Sequence, residues 1–190
     1  DLKRICNLDV KISDLSFSEL QGYKIFNKHK VPLLSEVLNT WSNVYFNIDP
    51  KTEKSAYLLL DEFKKQKNLN RFCVGSFNSE SLNIMRDGLK NKLCTSMSQN
   101  EVINFFINRF LPFFNNNAPC LQIPMYFYGV KIVTKNLVEH VHSFGKKIHV
   151  WTINDESEMK TLIDYGVDGI MTDRPKKLKD ILQERLLWPH

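Results

Sequence analysis

The 190 residues are 43% hydrophobic and 12% aromatic, with 26 basic against 21 acidic side chains. That much apolar surface is enough to bury a core and excludes an intrinsically disordered chain. No uncharged apolar run approaches the ~18 residues of a membrane helix. The net charge of +5 comes from scattered Lys and Arg, which suits a small anionic substrate and argues against a nucleic-acid partner.

The opening residues DLKRICNLDV look like neither a start site nor a signal peptide. Residues 1–30 carry Ser, Asp and Asn clusters without a sustained period and read as loop or insertion. VPLLSEVLNTW (31–41) then predicts a helix. From residue 44 onward, short β-type runs alternate with amphipathic stretches, the signature of parallel βα units. The predicted strands are 44–49, 71–77, 92–96, 120–124, 147–153 and 168–172. Ser98 with Glu101 predicts a capping box before VINFFINRF, and Asp155 with Glu158 a similar pair before MKTLIDY. Gly145 and Gly166 sit where helices should stop, and Pro175 where the last one should start. This α/β pattern fits an open doubly wound sheet or part of an eight-stranded barrel. No GxGxxG turn supports a dinucleotide-binding sheet, and six strands cannot close the barrel.

The strand VYFNIDPK should place Val44, Phe46 and Ile48 on one face and Tyr45, Asn47, Asp49 and Lys51 on the other. At the carboxyl end of a barrel strand, Asp49 and Lys51 could hold a divalent cation and a phosphate oxygen respectively. In KIHVWTIN, alternation groups His149, Trp151 and Ile153, so that Trp151 could form an apolar wall for a ligand. Among His29, His140, His142, His149 and His190 there is no HExxH and no HxH near a carboxylate cluster, and His140 and His142, two apart on a predicted helix, point to different sides, so all five read as surface or core residues. No GxSxG elbow or Walker loop appears. Cys6, Cys73, Cys94 and Cys120 contain no CxxC pair, which predicts no zinc ribbon and a reducing, cytoplasmic setting. Cys73, Cys94 and Cys120 lie in apolar runs and read as small hydrophobes.

Residues 149–175, HVWTINDESEMKTLIDYGVDGIMTDRP, closely resemble the C-terminal signature of the glycerophosphodiester phosphodiesterases. In that family a strand ending W-T-[VI]-N leads through a helix to G-[VA]-D-G-I-[IM]-T-D-x-P. VPLLSEVL, FNIDPK, VGSF and CLQIP fall into the same register, and DLKRICNLDVKISDLSFSEL resembles the end of the family's small insertion. The resemblance implies a TIM-type (β/α)8 barrel, of which this chain would hold strands three to eight in one partial barrel domain.

It also implies metal-dependent hydrolysis of glycerophosphodiesters to glycerol 3-phosphate and an alcohol, with a divalent metal, calcium or magnesium. By the same carry-over Asp49 is a metal ligand, Lys51 contacts phosphate, Trp151 lines the glycerol end, and Gln122 is a substrate contact matched by motif position. Asp173 braces the last turn. The family's H-R-G, E-N, E-x-D and H-D segments, which hold both acid/base histidines and the other metal carboxylates, do not occur here. The expectation is therefore a complete enzyme that is active and a 190-residue chain that is inactive alone. Two alternatives are a catalytically dead barrel acting as a binding or regulatory module, and a phospholipase-D-like relative acting on lysophospholipids. For the latter, Phe105, Phe106, Phe110, Phe113 and Phe114 would form a lip over the lipid, although core packing accounts for them more simply.

Overall fold

The computed structural model describes residues 2–90, 92–108 and 117–188. Phe110, Phe113, Phe114 and His190 lie outside the described residues. The chain divides into two compact units, Asp1–Val44 and Tyr45–His190.

The first unit contains more regular structure than its sequence pattern predicts. Three short turns occur: helix α1 (Lys3–Cys6), a 3-10 turn (Ile12–Asp14) and helix α2 (Phe17–Leu20). Each is too brief to establish a hydrophobic period, and α2 owes its start to a local device. The Ser16 N–H donates to Glu19 Oε2 at 2.8 Å while the Glu19 N–H donates back to Ser16 Oγ at 3.3 Å. Helix α3 (Leu34–Thr40) begins later than the predicted 31, because Pro32 disfavours helix at Val31 and Leu33 is extended, with ψ of 145°. Leu2, Leu20 and Leu38 are buried.

The second unit has six parallel strands: β1 (Phe46–Ile48), β2 (Phe72–Val74), β3 (Cys94–Thr95), β4 (Cys120–Pro124), β7 (Lys147–Trp151) and β8 (Gly169–Ile170). They form two three-stranded sheets, β1-β2-β3 and β4-β7-β8. A parallel bridge between Ser96 and Cys120 joins the two. Among the described residues β1 and β8 do not pair, so the curved sheet is an open α/β barrel. Every strand core falls inside its predicted run, and β4 matches its run end to end. The others are shorter at one or both ends.

Helices α4 (Glu53–Lys64), α5 (Ser79–Gly88), α6 (Gln99–Asn108), α7 (Lys135–Ser143), α8 (Glu156–Tyr165) and α9 (Pro175–Glu184) follow the six parallel strands in turn. Gly145 and Gly166 take φ of +67° and +79° at the ends of α7 and α8, where a side chain would be strained. Between β4 and α7 an unpredicted antiparallel hairpin, β5 (Tyr126–Phe127) with β6 (Val130–Lys131), turns through Tyr128 and Gly129. Both turn residues have positive φ, as a two-residue primed turn requires.

The principal core lies on the helix side of the strands. Leu121, Ile123, Ile148 and Val150 alternate outward from β4 and β7 onto Phe105, Leu137, Val141, Met159 and Leu162, all of them buried. On the other half of the sheet Phe72 stacks on Phe63 with ring centroids 4.5 Å apart. Two face assignments require correction. Ile153 does not share a face with His149 and Trp151, because β7 ends at Trp151 and Ile153 turns into the helix-side core. Val44 precedes β1 and is exposed, so only Phe46 and Ile48 form the apolar side of that strand.

Two carboxylates pin the periphery of this unit. Arg86 on α5 forks onto Glu101 on α6, and Asp168 binds Lys147, His142 and the Ile148 N–H between 2.8 and 2.9 Å. Burial pushes both carboxyls up, but the Arg86 pair with the Ser98 N–H, and the three donors to Asp168, outweigh it and hold both below their ordinary values. A depressed carboxyl contributes stability that is present above its unfolded pKa and is lost as pH falls through its folded value. Burial also holds the His149 imidazole below its ordinary value, so the unfolded chain takes up that proton first as pH falls. Two stages of acid destabilisation are expected: one starting below about pH 6.5 from His149, and a larger one below about pH 4 from Glu101 and Asp168. Urea midpoints measured from pH 8 to 3 should show both, and a flat profile down to pH 4 would remove the first.

Candidate active site

The concave face of the sheet carries the opposite set of alternating residues. Register pairs Asn47 with Cys73, Cys73 with Cys94, Gln122 with His149, and His149 with Gly169, so these side chains point to one side. At its centre Gln122 Nε2 donates to Asn47 Oδ1 at 3.0 Å and lies 3.3 Å from His149 Nδ1. Asn47 Nδ2 in turn reaches Gln122 Oε1 at 3.5 Å and Met171 Sδ at 4.0 Å, spanning the concavity from β1 toward β8. Two glycines leave room for this layer. A Cβ on Gly75 would stand 2.6 Å from Gln122 Oε1, and one on Gly169 2.8 Å from His149 Cδ2.

The predicted site residues fall at three places. Asp49 and Lys51 follow β1 at its carboxyl end and form an ion pair with each other, with the Lys51 side chain 77% exposed. Gln122 belongs to the central polar layer. Trp151 ends β7 and meets Phe77 edge to face, ring centroids 5.7 Å apart at 84°, so that aromatics following β2 and ending β7 meet at the rim. Phe77 carried no role in the sequence reading, since nothing local distinguishes a rim aromatic from a core one. Asn154 was missed likewise. Its Oδ1 accepts from Thr172 Oγ1 at 3.0 Å and the Asp173 N–H at 2.9 Å, while its Nδ2 donates to Asp173 Oδ2 at 3.0 Å. This clasp is the bracing role expected of Asp173.

Calcium takes six to eight oxygen ligands, and magnesium keeps several waters around one or two carboxylates. Asp49 supplies one carboxylate. Among the described residues the only group of three or more converging His, Cys, Asp or Glu side chains is Cys73, Cys94 and Cys120, whose sulfurs favour soft ions. The described residues therefore fit one corner of a hard-cation site and do not make a complete one. The expectation of three dispersed hydrophobic cysteines is also corrected, because they converge on the concave face, with Cys94 exposed.

Core packing, the simpler reading of the aromatic stretch, holds where it can be seen: Phe105 is fully buried and Phe106 packs partly buried against the same core. No helix among the described residues is long and apolar enough to cross a membrane.

An open parallel βα sheet with helices outside and a polar concave layer is the architecture of part of a (β/α)8 barrel. Residues 1–177 match the model of the glycerophosphoryl diester phosphodiesterase family, and the chain belongs to that family. A Mycobacterium tuberculosis protein named "probable glycerophosphodiester phosphodiesterase 2" is 25% identical over 93% of this chain and 69% of its own length. A human lysophospholipase D is 27% identical over 96% of this chain and 70% of its own length.

Among solved structures, a glycerophosphodiester phosphodiesterase from Thermotoga maritima superposes with a TM-score of 0.65 at 28% identity, covering 97% of this chain and 76% of that one. An Oleispira antarctica phosphodiesterase, solved with its product sn-glycerol-3-phosphate, shares the fold with a TM-score of 0.75 at 18% identity, covering 96% of this chain and 76% of that one. The enzyme class is glycerophosphodiester phosphodiesterase, and the reaction of the complete protein is hydrolysis of glycerophosphodiesters.

Proposed function

We propose that this chain supplies the Asp49, Lys51 and Trp151 side of a metal-dependent active site that releases glycerol 3-phosphate and an alcohol. The carrying observation is the family match across residues 1–177, in a sheet whose strand ends present these residues on loops and rim. Asp49 contributes one oxygen to a divalent cation, calcium or magnesium, which when bound neutralises charge on the phosphoryl oxygens. The remaining ligands and the acid/base histidines come from the family's strands one and two and from the H-D pair of its insertion. The relatives are longer than the stretch matched here, which supports that assignment. On this reading residues 1–30 are the end of the family insertion, the whole is one partial barrel domain, and the 190 residues alone do not turn over.

The chain's own residues bind and orient. Lys51, paired with Asp49, swings its exposed ammonium to a phosphate oxygen when substrate enters. Trp151, steadied by Phe77, walls the glycerol carbons. Gln122 offers Oε1, whose bond from Asn47 is long at 3.5 Å, to a substrate hydroxyl. Scattered positive charge favours such an anionic small molecule over nucleic acid. The free cysteines accord with a cytoplasmic setting.

In the complete barrel, Asp49→Ala is expected to lower turnover of glycerophosphocholine on the order of 100-fold at limiting metal, with partial recovery at high metal. Release of glycerol 3-phosphate, followed before and after chelation, checks it. Turnover indifferent to Asp49→Ala would remove Asp49 from the site.

A second reading, hydrolysis of lysophospholipids, is favoured by the likeness to the human lysophospholipase D and by the β5–β6 hairpin. That hairpin leaves Tyr126, Phe127 and Tyr128 exposed, Tyr128 at 92%. Faster turnover of lysophosphatidylcholine than of glycerophosphocholine would establish it.

A further inference from the structure

We propose that Cys73, Cys94 and Cys120 form a three-sulfur site for a soft, thiophilic metal ion on the concave face of the sheet, separate from the carboxylate at Asp49. The three residues come from three consecutive parallel strands. Cys94 is the register partner of Cys73, and Cys120 bridges Ser96, two residues beyond Cys94 and therefore on the same face. Their Sγ atoms all lie within 4.8 Å of one another, and Cys73 and Cys120 stand 3.8 Å apart. Sulfurs each about 2.3 Å from a shared ion lie about 3.8 to 4.0 Å apart, so the observed spacing needs only small side-chain movement to close on one. It is far beyond the ~2.05 Å of a disulfide, and all three thiols are free.

The surroundings are those of a thiolate site and not of an apolar core. Gln122 Nε2 lies 3.8 Å from both Cys73 Sγ and Cys120 Sγ, placing an amide donor against two of the three sulfurs. Donors in that position stabilise sulfur charge and orient ligands. On binding, each coordinating thiol passes its proton to solvent and no electron is transferred. Among the described residues no fourth His, Cys, Asp or Glu joins the group. Three sulfurs satisfy a trigonal Cu(I), whereas Zn(II) would complete its shell with water.

The test uses the reduced protein, handled without oxygen and titrated with Cd(II), with Zn(II) and Cu(I) as competitors. A thiolate-to-cadmium charge-transfer absorption should rise and saturate at one ion per chain. Displacement by Cu(I) but not by equimolar Zn(II) would assign the three-coordinate ion, and displacement by both the four-coordinate one. Cys94→Ser should weaken Cd(II) binding on the order of 100-fold or more, while Cys6→Ser leaves it unchanged. Absence of the absorption, its persistence in Cys94→Ser, or its loss in Cys6→Ser overturns the site. X-ray absorption at the zinc edge of the wild-type protein reads the same question without a variant. Three sulfur neighbours at about 2.3 Å support the site, and fewer than three refute it. None of these measurements depends on phosphodiesterase activity.

Discussion

An Arg86→Ala variant is expected to lose about 3 kcal/mol of unfolding free energy, because it removes four hydrogen bonds from a largely enclosed guanidinium. Arg86 Nη1 and Nη2 each meet one oxygen of Glu101 at 3.0 Å, Nη2 also reaches the Ser96 carbonyl at 3.1 Å, and Nε donates to Thr95 Oγ1 at 2.9 Å. The side chains of the pair are only 19% and 26% exposed. Their coupling is therefore not that of a screened surface pair, which contributes about 0–1 kcal/mol. Truncation leaves the Glu101 carboxylate and the buried Thr95 hydroxyl without these donors, and the orphaned charge dominates the loss. Arg86→Lys should recover only part of it, since an ammonium cannot match two carboxylate oxygens and two further acceptors at once. Urea unfolding at pH 7 reads the difference as a shift in midpoint at constant slope. A loss under about 1 kcal/mol would mean that this network contributes no more than a surface pair.

Phe105→Ala is expected to cost about 3–5 kcal/mol, the range for emptying a large aromatic site in a close-packed core. Phe105 is 0% exposed and meets Phe144 at 5.9 Å and Phe106 at 6.0 Å between ring centroids, both close to perpendicular. Its neighbour on α6, Ile107, is 71% exposed, and Ile107→Ala should change stability by no more than about 0.5 kcal/mol. The contrast separates a core role from a lipid-contacting one on the same helix. If Phe105→Ala lowered affinity for an acylated substrate while leaving the urea midpoint intact, the core assignment would be wrong.

Much of the fold was legible locally. The six strand cores, the Ser98–Glu101 box, the glycines ending α7 and α8, and Pro175 at the head of α9 follow from rules that act within a turn or a pleat. The family signature from His149 to Pro175 was legible for the same reason, being one contiguous strand–helix–strand stretch. The β5–β6 hairpin escaped because its positive-φ turn begins with Tyr128 where Asn or Asp is the usual signal. Ile153 was assigned to the wrong face because alternation holds only while the ladder lasts, and β7 stops two residues earlier. The turns at 3–6, 12–14 and 17–20 were too short to leave a period.

The βα order, the outward apolar face, the family, and Asp49, Lys51, Gln122 and Trp151 as the residues to test are all readable along the chain. Tertiary structure decided which side chains meet. Cys73, Cys94 and Cys120 are separated by 21 and 26 positions in the numbering and share no motif, yet parallel pairing with a two-residue pleat turns their sulfurs to one point. The same holds for Asn47 with Gln122 and Phe77 with Trp151, whose partners lie a whole βα unit or more away. Local propensity sets the direction in which each side chain leaves its strand, but only the curvature and register of the sheet set what it faces.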